Sequence, residues 1–228
     1  MIKNYLGKRK YDLAIFDLDG VLTETSEQHY LAWKTLADEL EIDFDRELNE
    51  LLKGVSRMAS LELILDHNNV ANNFDELEKV VLATKKNDIY KGLIEHFTPN
   101  NLFNGVIELF YNLKEAGLKI ALGSASNNAR TLLGKMDILD YFDVIVDPNS
   151  VEKGKPDPGI FLKAAEFLGI NPERSIGFED AIAGVKAIKA ANMYAIGIGD
   201  EESLFEADLV FKEIKAFDYQ HIYQSDTL

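Results

Sequence analysis

The chain has 228 residues, with 39 acidic against 24 basic side chains and a net charge of −15, which disfavours nonspecific attachment to nucleic acid or to an anionic membrane surface. It contains no cysteine, so a disulfide framework, a thiolate zinc site and a thiol nucleophile are excluded, and a reducing cytoplasm is the expected compartment. The length suits one catalytic unit with room for a smaller domain folded into it.

Residues 1–10 are short and basic and read as a surface extension. Leu13–Phe16 is a continuous apolar run that ends in the acidic DLDG, the pattern of a buried parallel strand entering a loop. Asp17 and Asp19 interrupt the apolar stretch 13–22, so it can serve neither as a signal-peptide core nor as a membrane span. From Glu24 to about Phe103 the pattern turns helical. His29, Trp33, Leu36 and Leu40 share one face of a first helix, and further helices are expected around 46–52, 58–66 and 74–91.

Beyond this stretch, strands and helices alternate. A helix at 106–116 precedes a strand at Lys119–Leu122 that runs into GSASNN, and a helix at 129–136 precedes a strand at 144–146 that runs into DP. Helix 158–168 leads to strand 175–178 and ED; helix 181–191 leads to strand Tyr194–Ile198 and GD. Such alternation predicts right-handed crossovers and an α/β, doubly wound parallel sheet with a Rossmann-like core. The core is assigned to 1–23 and 104–228, and residues 24–103 to an inserted helical cap. Polar residues at the strand ends then converge on one crevice, and a helical insertion beside it is a natural lid. No repeat or low-complexity tract is present.

The strongest chemical signal is FDLDGVLTET. Asp17 and Asp19, one residue apart, leave the strand in the same direction, and Gly20 permits a tight exit. Alone, the pair reads equally well as an acidic turn capping a helix. Three more elements at strand ends shift that balance: Ser124, Lys155 in KGKPDP, and Glu179-Asp180 in GFEDA.

In this order the chain resembles the haloacid dehalogenase superfamily, whose signature is DxD, then Ser or Thr, then Lys, then a paired acid. The match spans almost the whole chain. It implies magnesium-dependent phosphoryl transfer, in which Asp17 attacks phosphorus and holds an aspartyl phosphate while Asp19 moves the proton. Ser124 and Lys155 would bind the transferring phosphate. Magnesium would take oxygen ligands from Asp17, the backbone carbonyl of Asp19, Glu179 and Asp180.

Within the superfamily, TxxxHxxxW (Thr25, His29, Trp33), LKGVSR at 52–57, KND at 86–88 and SAS at 124–126 resemble the β-phosphoglucomutase branch. That resemblance implies a phosphorylated sugar substrate and a sugar bisphosphate intermediate that turns over in the closed site, so that β-glucose 1-phosphate and glucose 6-phosphate interconvert. It also implies a monomer. Substrate contacts are expected from Thr25, Trp33, Lys53, Gly54, Arg57, Lys86, Ser126 and Asn128, with His29 coupling cap closure to proton transfer. Asn127 departs from the branch, where a lysine follows SAS. By periodicity alone, Trp33 and Leu36 are packing residues, His29 is a satisfied helix histidine, and Lys85 and Lys86 form a solvated face. A sugar-phosphate phosphatase on the same fold, with water as acceptor, is the alternative. The intact acids and lysine argue against a silent binding module.

Overall fold

A computed structural model of the chain describes residues 9–223. Most of the predicted N-terminal extension, residues 1–8, lies outside them. Arg9 and Lys10 are not a loose surface tail, however. The Lys10 amide donates to the Ile222 carbonyl at 2.7 Å, and the Arg9 guanidinium donates to Asp12 and to the Ala116 carbonyl.

Six parallel strands form the sheet: β1 (Leu13–Phe16), β2 (Lys119–Leu122), β3 (Val144–Ile145), β4 (Ser175–Glu179), β5 (Tyr194–Ile198) and β6 (Leu209–Phe211). Their order is β3-β2-β1-β4-β5-β6. The chain therefore winds outward from β1 to β3 and then crosses back to β4, which makes the β1/β4 boundary the topological switch point. Phe16 is in register with Leu122 on one side and with Phe178 on the other. Asp17, Gly123 and Glu179 consequently leave the sheet at one level.

Period-two alternation decides the faces of the central strand. Ala14 and Phe16 enter one apolar cluster with α5 (Val106–Glu115) and α6 (Ala129–Lys135). Leu13 and Ile15 enter another with α7 (Gly159–Leu168) and α8 (Ile182–Ala190). Phe16 stacks on Phe178 at 4.5 Å and meets Phe110 edge-on at 5.1 Å. Each such buried ring contributes about 1.5–3 kcal/mol, so the strand that carries Asp17 is anchored by its own hydrophobic load.

Between β1 and β2 run α1 (Ser26–Glu39), α2 (Arg46–Glu50), α3 (Arg57–His67) and α4 (Glu76–Leu93). They pack a third cluster of their own around Trp33, Leu36, Leu48, Leu61 and Leu65. Their starts are encoded locally. Asp45 accepts from the Leu48 amide, Ser56 from the Ala59 amide, and Asp75 with Glu78 forms a capping box. The last turn of α4 leaves this cluster and buries Tyr90, just ahead of Ile94, in the main core. No helix among the described residues is long and apolar enough to cross a membrane.

The sequence reading misses β6. Its three residues are only half-buried and it pairs on one side alone, so the apolar run that marks a central strand is absent.

Candidate active site

Asp17 is the first residue past β1, and its amide donates to the Phe178 carbonyl at 3.0 Å, one more rung of the ladder. The Asp17 carboxylate is thereby held beside Glu179. Lys155 approaches from the loop after β3, and its ammonium donates to Asp17 Oδ1 and to Glu179 Oε1, each at 2.6 Å. All three side chains are buried. Burial would drive the ammonium toward neutrality, but the two carboxylates reverse this and raise its pKa above the usual lysine range. Glu179 is also raised, because burial outweighs its attraction to Lys155. A charge left in such a site with no partner at all would cost about 3–5 kcal/mol, so the arrangement is a fixed part of the fold.

The loop after β1 brings Asp19 and Asp180 together. Gly20 has φ +77°, and a Cβ on it would stand 2.0 Å from Asp180 Oδ2; only glycine permits both the turn and this close approach. The Thr25 hydroxyl donates to Asp19 Oδ1. Burial, and next the charge of Asp17, push the Asp19 carboxyl up to about 7.

A cavity of about 120 Å³ opens above these groups. Asp17, Asp19 and Asp180 line its floor. Thr25, His29 and Trp33 reach it from the start of α1, Lys53, Gly54 and Arg57 from the loop entering α3, and Lys86 from α4. Ser126 and Asn128 come from the loop after β2. Three predicted residues are not in its lining: Ser124, Lys155 and Glu179 are buried next to residues that are, Ser124 against Ser126 and the other two beside Asp17. Ser124 is buried, and its Oγ accepts from the Ser126 amide at 3.1 Å.

Trp33 is both a packing residue and a cavity wall, since it belongs to the α1–α4 cluster and also faces the pocket. The two neighbouring lysines separate. Lys85 is exposed and pairs with Glu39. Lys86 is buried, with its ammonium 2.8 Å from His29 Nδ1 and 4.7 Å from the Trp33 ring. Burial, and next the charge of Arg57, bring Lys86 down to about 7. His29 is held well below its usual pKa, chiefly by burial and then by the charge of Lys86. A neutral imidazole that accepts at Nδ1 carries its proton on Nε2.

A family model described as haloacid dehalogenase-like hydrolase matches residues 11–192. The chain belongs to this family. β-Phosphoglucomutase of Bacillus subtilis (strain 168) is 46% identical over 199 residues, 87% of this chain and 88% of that protein. A crystal structure of β-phosphoglucomutase from Clostridium difficile superposes with a TM-score of 0.91 at 43% identity, covering 93% of this chain and 95% of that one. A phosphorylated carbohydrates phosphatase from Thermotoga maritima is 30% identical over 206 residues, 87% of this chain and 92% of that protein. This haloacid dehalogenase-like chain is an enzyme whose close homologues are phosphotransferase-isomerases.

The family implies a divalent metal ion, and the donor set fits one. Carboxylate oxygens of Asp17, Glu179 and Asp180 lie within 4.8 Å of one another. Burial and the charges of Glu179 and Asp17 raise Asp180 well above the usual carboxylate range, so the cluster holds more negative charge than Lys155 offsets. A hard cation with oxygen preference suits it. Because a carboxyl with a raised pKa binds a proton at low pH, cation binding must displace that proton, and affinity should rise with pH. A saturating divalent cation, at about 100 times Kd, should add roughly 2.7 kcal/mol and raise Tm by about 5–11 °C for a chain of this size. Chelation should abolish turnover yet leave a cooperative melt, since the core rests on apolar clusters. Calorimetry with and without chelator checks this; loss of the folded state on chelation would contradict it.

The sequence reading missed Glu24, Ser26, Asn49, Ser60 and Asn87, all in the cavity wall. Asn87 Oδ1 accepts from Asn128 Nδ2 at 2.8 Å, a buried bond between α4 and the sheet-end loop. The KND string already contained Asn87. For Asn49 and Ser60 the only available signal was a polar residue on a buried helix face.

Proposed function

We propose that this enzyme is a β-phosphoglucomutase, cytoplasmic and monomeric, that interconverts β-D-glucose 1-phosphate and glucose 6-phosphate through a bisphosphate. One observation carries the reading. The cavity offers two places for a phosphate: the floor, where Asp17 and a bound cation would take the transferring group, and Arg57 at the start of α3 in the helical part of the wall. Arg57 is half-buried, and among the described residues it has no carboxylate in ion-pair contact. Burial lowers its pKa, and the charge of Asp88 opposes this only in part, so a phosphate held bidentately would supply the close partner the guanidinium lacks.

Residues 24–103 act as the cap. Gly54, at φ +73°, brings the cap loop so close to the core that a Cβ there would lie 3.3 Å from Ala181 Cβ. Together with the Asn87–Asn128 bond, this describes the closed arrangement, which excludes water from the transferring group.

Lys155 holds Asp17 Oδ1, leaving the other carboxylate oxygen to attack phosphorus. The P–O bond to the sugar breaks as that oxygen takes the Asp19 proton. Thr25 occupies Asp19 Oδ1 and so directs the acid proton to Oδ2. In the reverse sense a sugar hydroxyl attacks the aspartyl phosphate, gives its proton to Asp19 and frees Asp17. Ser124 keeps its hydroxyl proton available to a phosphoryl oxygen, and Lys155 offsets the charge of the transferring group. Magnesium would be held by Asp17, Glu179, Asp180 and the Asp19 carbonyl and would supply positive charge against the phosphoryl oxygens. Lys53, Lys86, Ser126 and Asn128 bind the rest of the sugar phosphate, while His29, hydrogen-bonded to Lys86, links cap position to the site of proton transfer.

The test follows glucose 6-phosphate and free phosphate together, starting from β-glucose 1-phosphate with magnesium and a trace of bisphosphate. The parent should form the sugar isomer predominantly. In Arg57→Ala, loss of a charge-assisted contact of about 1.5–3 kcal/mol should weaken bisphosphate binding by roughly 10–100-fold, while phosphorylation by acetyl phosphate, too small to reach the cap, persists. Arg57→Lys should recover part of the loss. Predominant phosphate release from the parent, or unchanged conversion in Arg57→Ala, would favour a phosphatase on the same fold.

A further inference from the structure

Two lysines line the cavity, Lys53 and Lys86. Lys53 has a counterion, since the Glu50 carboxylate lies 2.7 Å from its ammonium. Lys86 has none. It is 3% exposed, its nitrogen lies 2.8 Å from His29 Nδ1, and among the described residues no carboxylate is in ion-pair contact with it. The ring faces of Trp33 at 4.7 Å and Tyr90 at 5.0 Å complete its surroundings; a ring face attracts a cation, but more weakly than a carboxylate does. Arg57, from α3, adds a like charge, and of the charged groups that act on Lys86 only Asp19, from the loop after β1, favours the ammonium. Burial and Arg57 prevail, which is why this amine titrates at about 7. A neutral lysine amine on a cavity wall is a nucleophile toward carbonyl carbon, and phosphoryl transfer makes no use of that property.

We propose that Lys86 is an imine-forming site for phosphorylated aldehydes, open-chain aldose phosphates among them, and that the imine blocks the cavity until it hydrolyses. The Nζ lone pair adds to the aldehyde carbon while one N–H proton passes to His29 Nδ1 and from there to the carbonyl oxygen. The carbinolamine then loses its hydroxyl group and the remaining N–H proton as water, which leaves a C=N bond. No oxidant, reductant or further reactant is needed, and water reverses the step. Arg57 and the floor each offer the phosphate a place, so the aldehyde is held beside the amine and need not meet it by chance. The inference rests on those phosphate places and not on the mutase reading, because the amine reacts without any transfer of the phosphoryl group.

The test incubates the full chain, with magnesium, with pyridoxal 5′-phosphate, reduces the product with borohydride and locates the adduct by peptide mass spectrometry. Lys86 should be labelled about tenfold or more faster than Lys85, its exposed neighbour on Glu39, because about half of an amine that titrates near 7 is neutral at pH 7. The rate at Lys86 should rise with pH and level off above about pH 8, the sign expected of a group that reacts as the free base. Pyridoxal, which lacks the phosphate, should label it about tenfold more slowly. Glyceraldehyde 3-phosphate with cyanoborohydride should modify the same residue, and glyceraldehyde should do so far less. Lys86→Arg should lose the fast adduct. Adducts on surface lysines with Lys86 untouched, or a rate at Lys86 that still climbs above about pH 9, would overturn the reactive amine. Equal rates with pyridoxal and its phosphate would overturn the role of the phosphate. Should Lys86→Arg fail to fold in a thermal melt, the label position and pH profile of the parent decide. Mutase turnover is assayed separately, so a parent that forms no glucose 6-phosphate yet is labelled at Lys86 defeats the mutase reading alone.

Discussion

Asp17→Asn is expected to lose both phosphoryl transfer and the acid-labile phosphoenzyme, to below detection, whichever phosphate donor is offered. An amide nitrogen or oxygen at this position is a poor nucleophile. Glu179 cannot replace it, with one oxygen on Lys155 and the other on the Ala181 amide. The substitution also removes one of three clustered carboxylates, so the requirement for the divalent cation should rise. Stability should suffer little. Lys155 keeps Glu179 as its partner, and the repulsion that Asp17 exerts on Asp19, Glu179 and Asp180 disappears. Phosphoprotein detection after incubation with acetyl phosphate, beside a thermal melt, checks both halves. A phosphorylated Asp17→Asn protein would show that another residue is the nucleophile.

Asp19→Ala should leave cation binding largely intact and lower turnover of sugar phosphates by about 10²–10⁴-fold, the usual loss for a general acid–base. The loss should be smaller with acetyl phosphate, because acetate departs without being protonated. The sign of the pH effect follows from the raised carboxyl. Asp19 titrates near 7, so the free enzyme carries the acid form below that pH and loses it above. The phosphorylation rate with a sugar phosphate should therefore fall on the alkaline side, about tenfold per pH unit. With the Asp17 charge offset by a bound cation, one of the two upward pushes weakens and this limb should move to lower pH. Asp19→Ala should lack the limb altogether. Pre-steady-state phosphorylation across pH measures it, and near-parental turnover in the variant would assign the proton to a different group.

Much of the fold is legible in the chain because it depends on local pattern. Leu13–Phe16 is apolar at four successive positions and becomes the central strand, buried on both faces. The Asp45, Ser56 and Asp75 caps mark where helices begin. The acids, serine and lysine of the active-site floor can be read in order, since a doubly wound sheet delivers the end of every strand to the same edge. β6 escapes for the opposite reason: a half-buried edge strand needs no strong apolar run.

What the sequence by itself determined is thus the α/β alternation, the helical insertion after β1 and the identity of the groups at the strand ends, all properties of residues close in the chain. Only the tertiary structure decided how those groups are partnered. Two adjacent lysines look alike in sequence, yet packing of α4 against α1 leaves Lys85 in solvent and places Lys86 on His29 and Trp33. Lys155 meets Asp17 across 138 positions, and Asn128 meets Asn87 across 41. Contacts of that separation carry no local periodicity. They arise when sheet register and helix packing bring distant segments to one place, and burial there then sets the protonation of Asp19, His29 and Lys86.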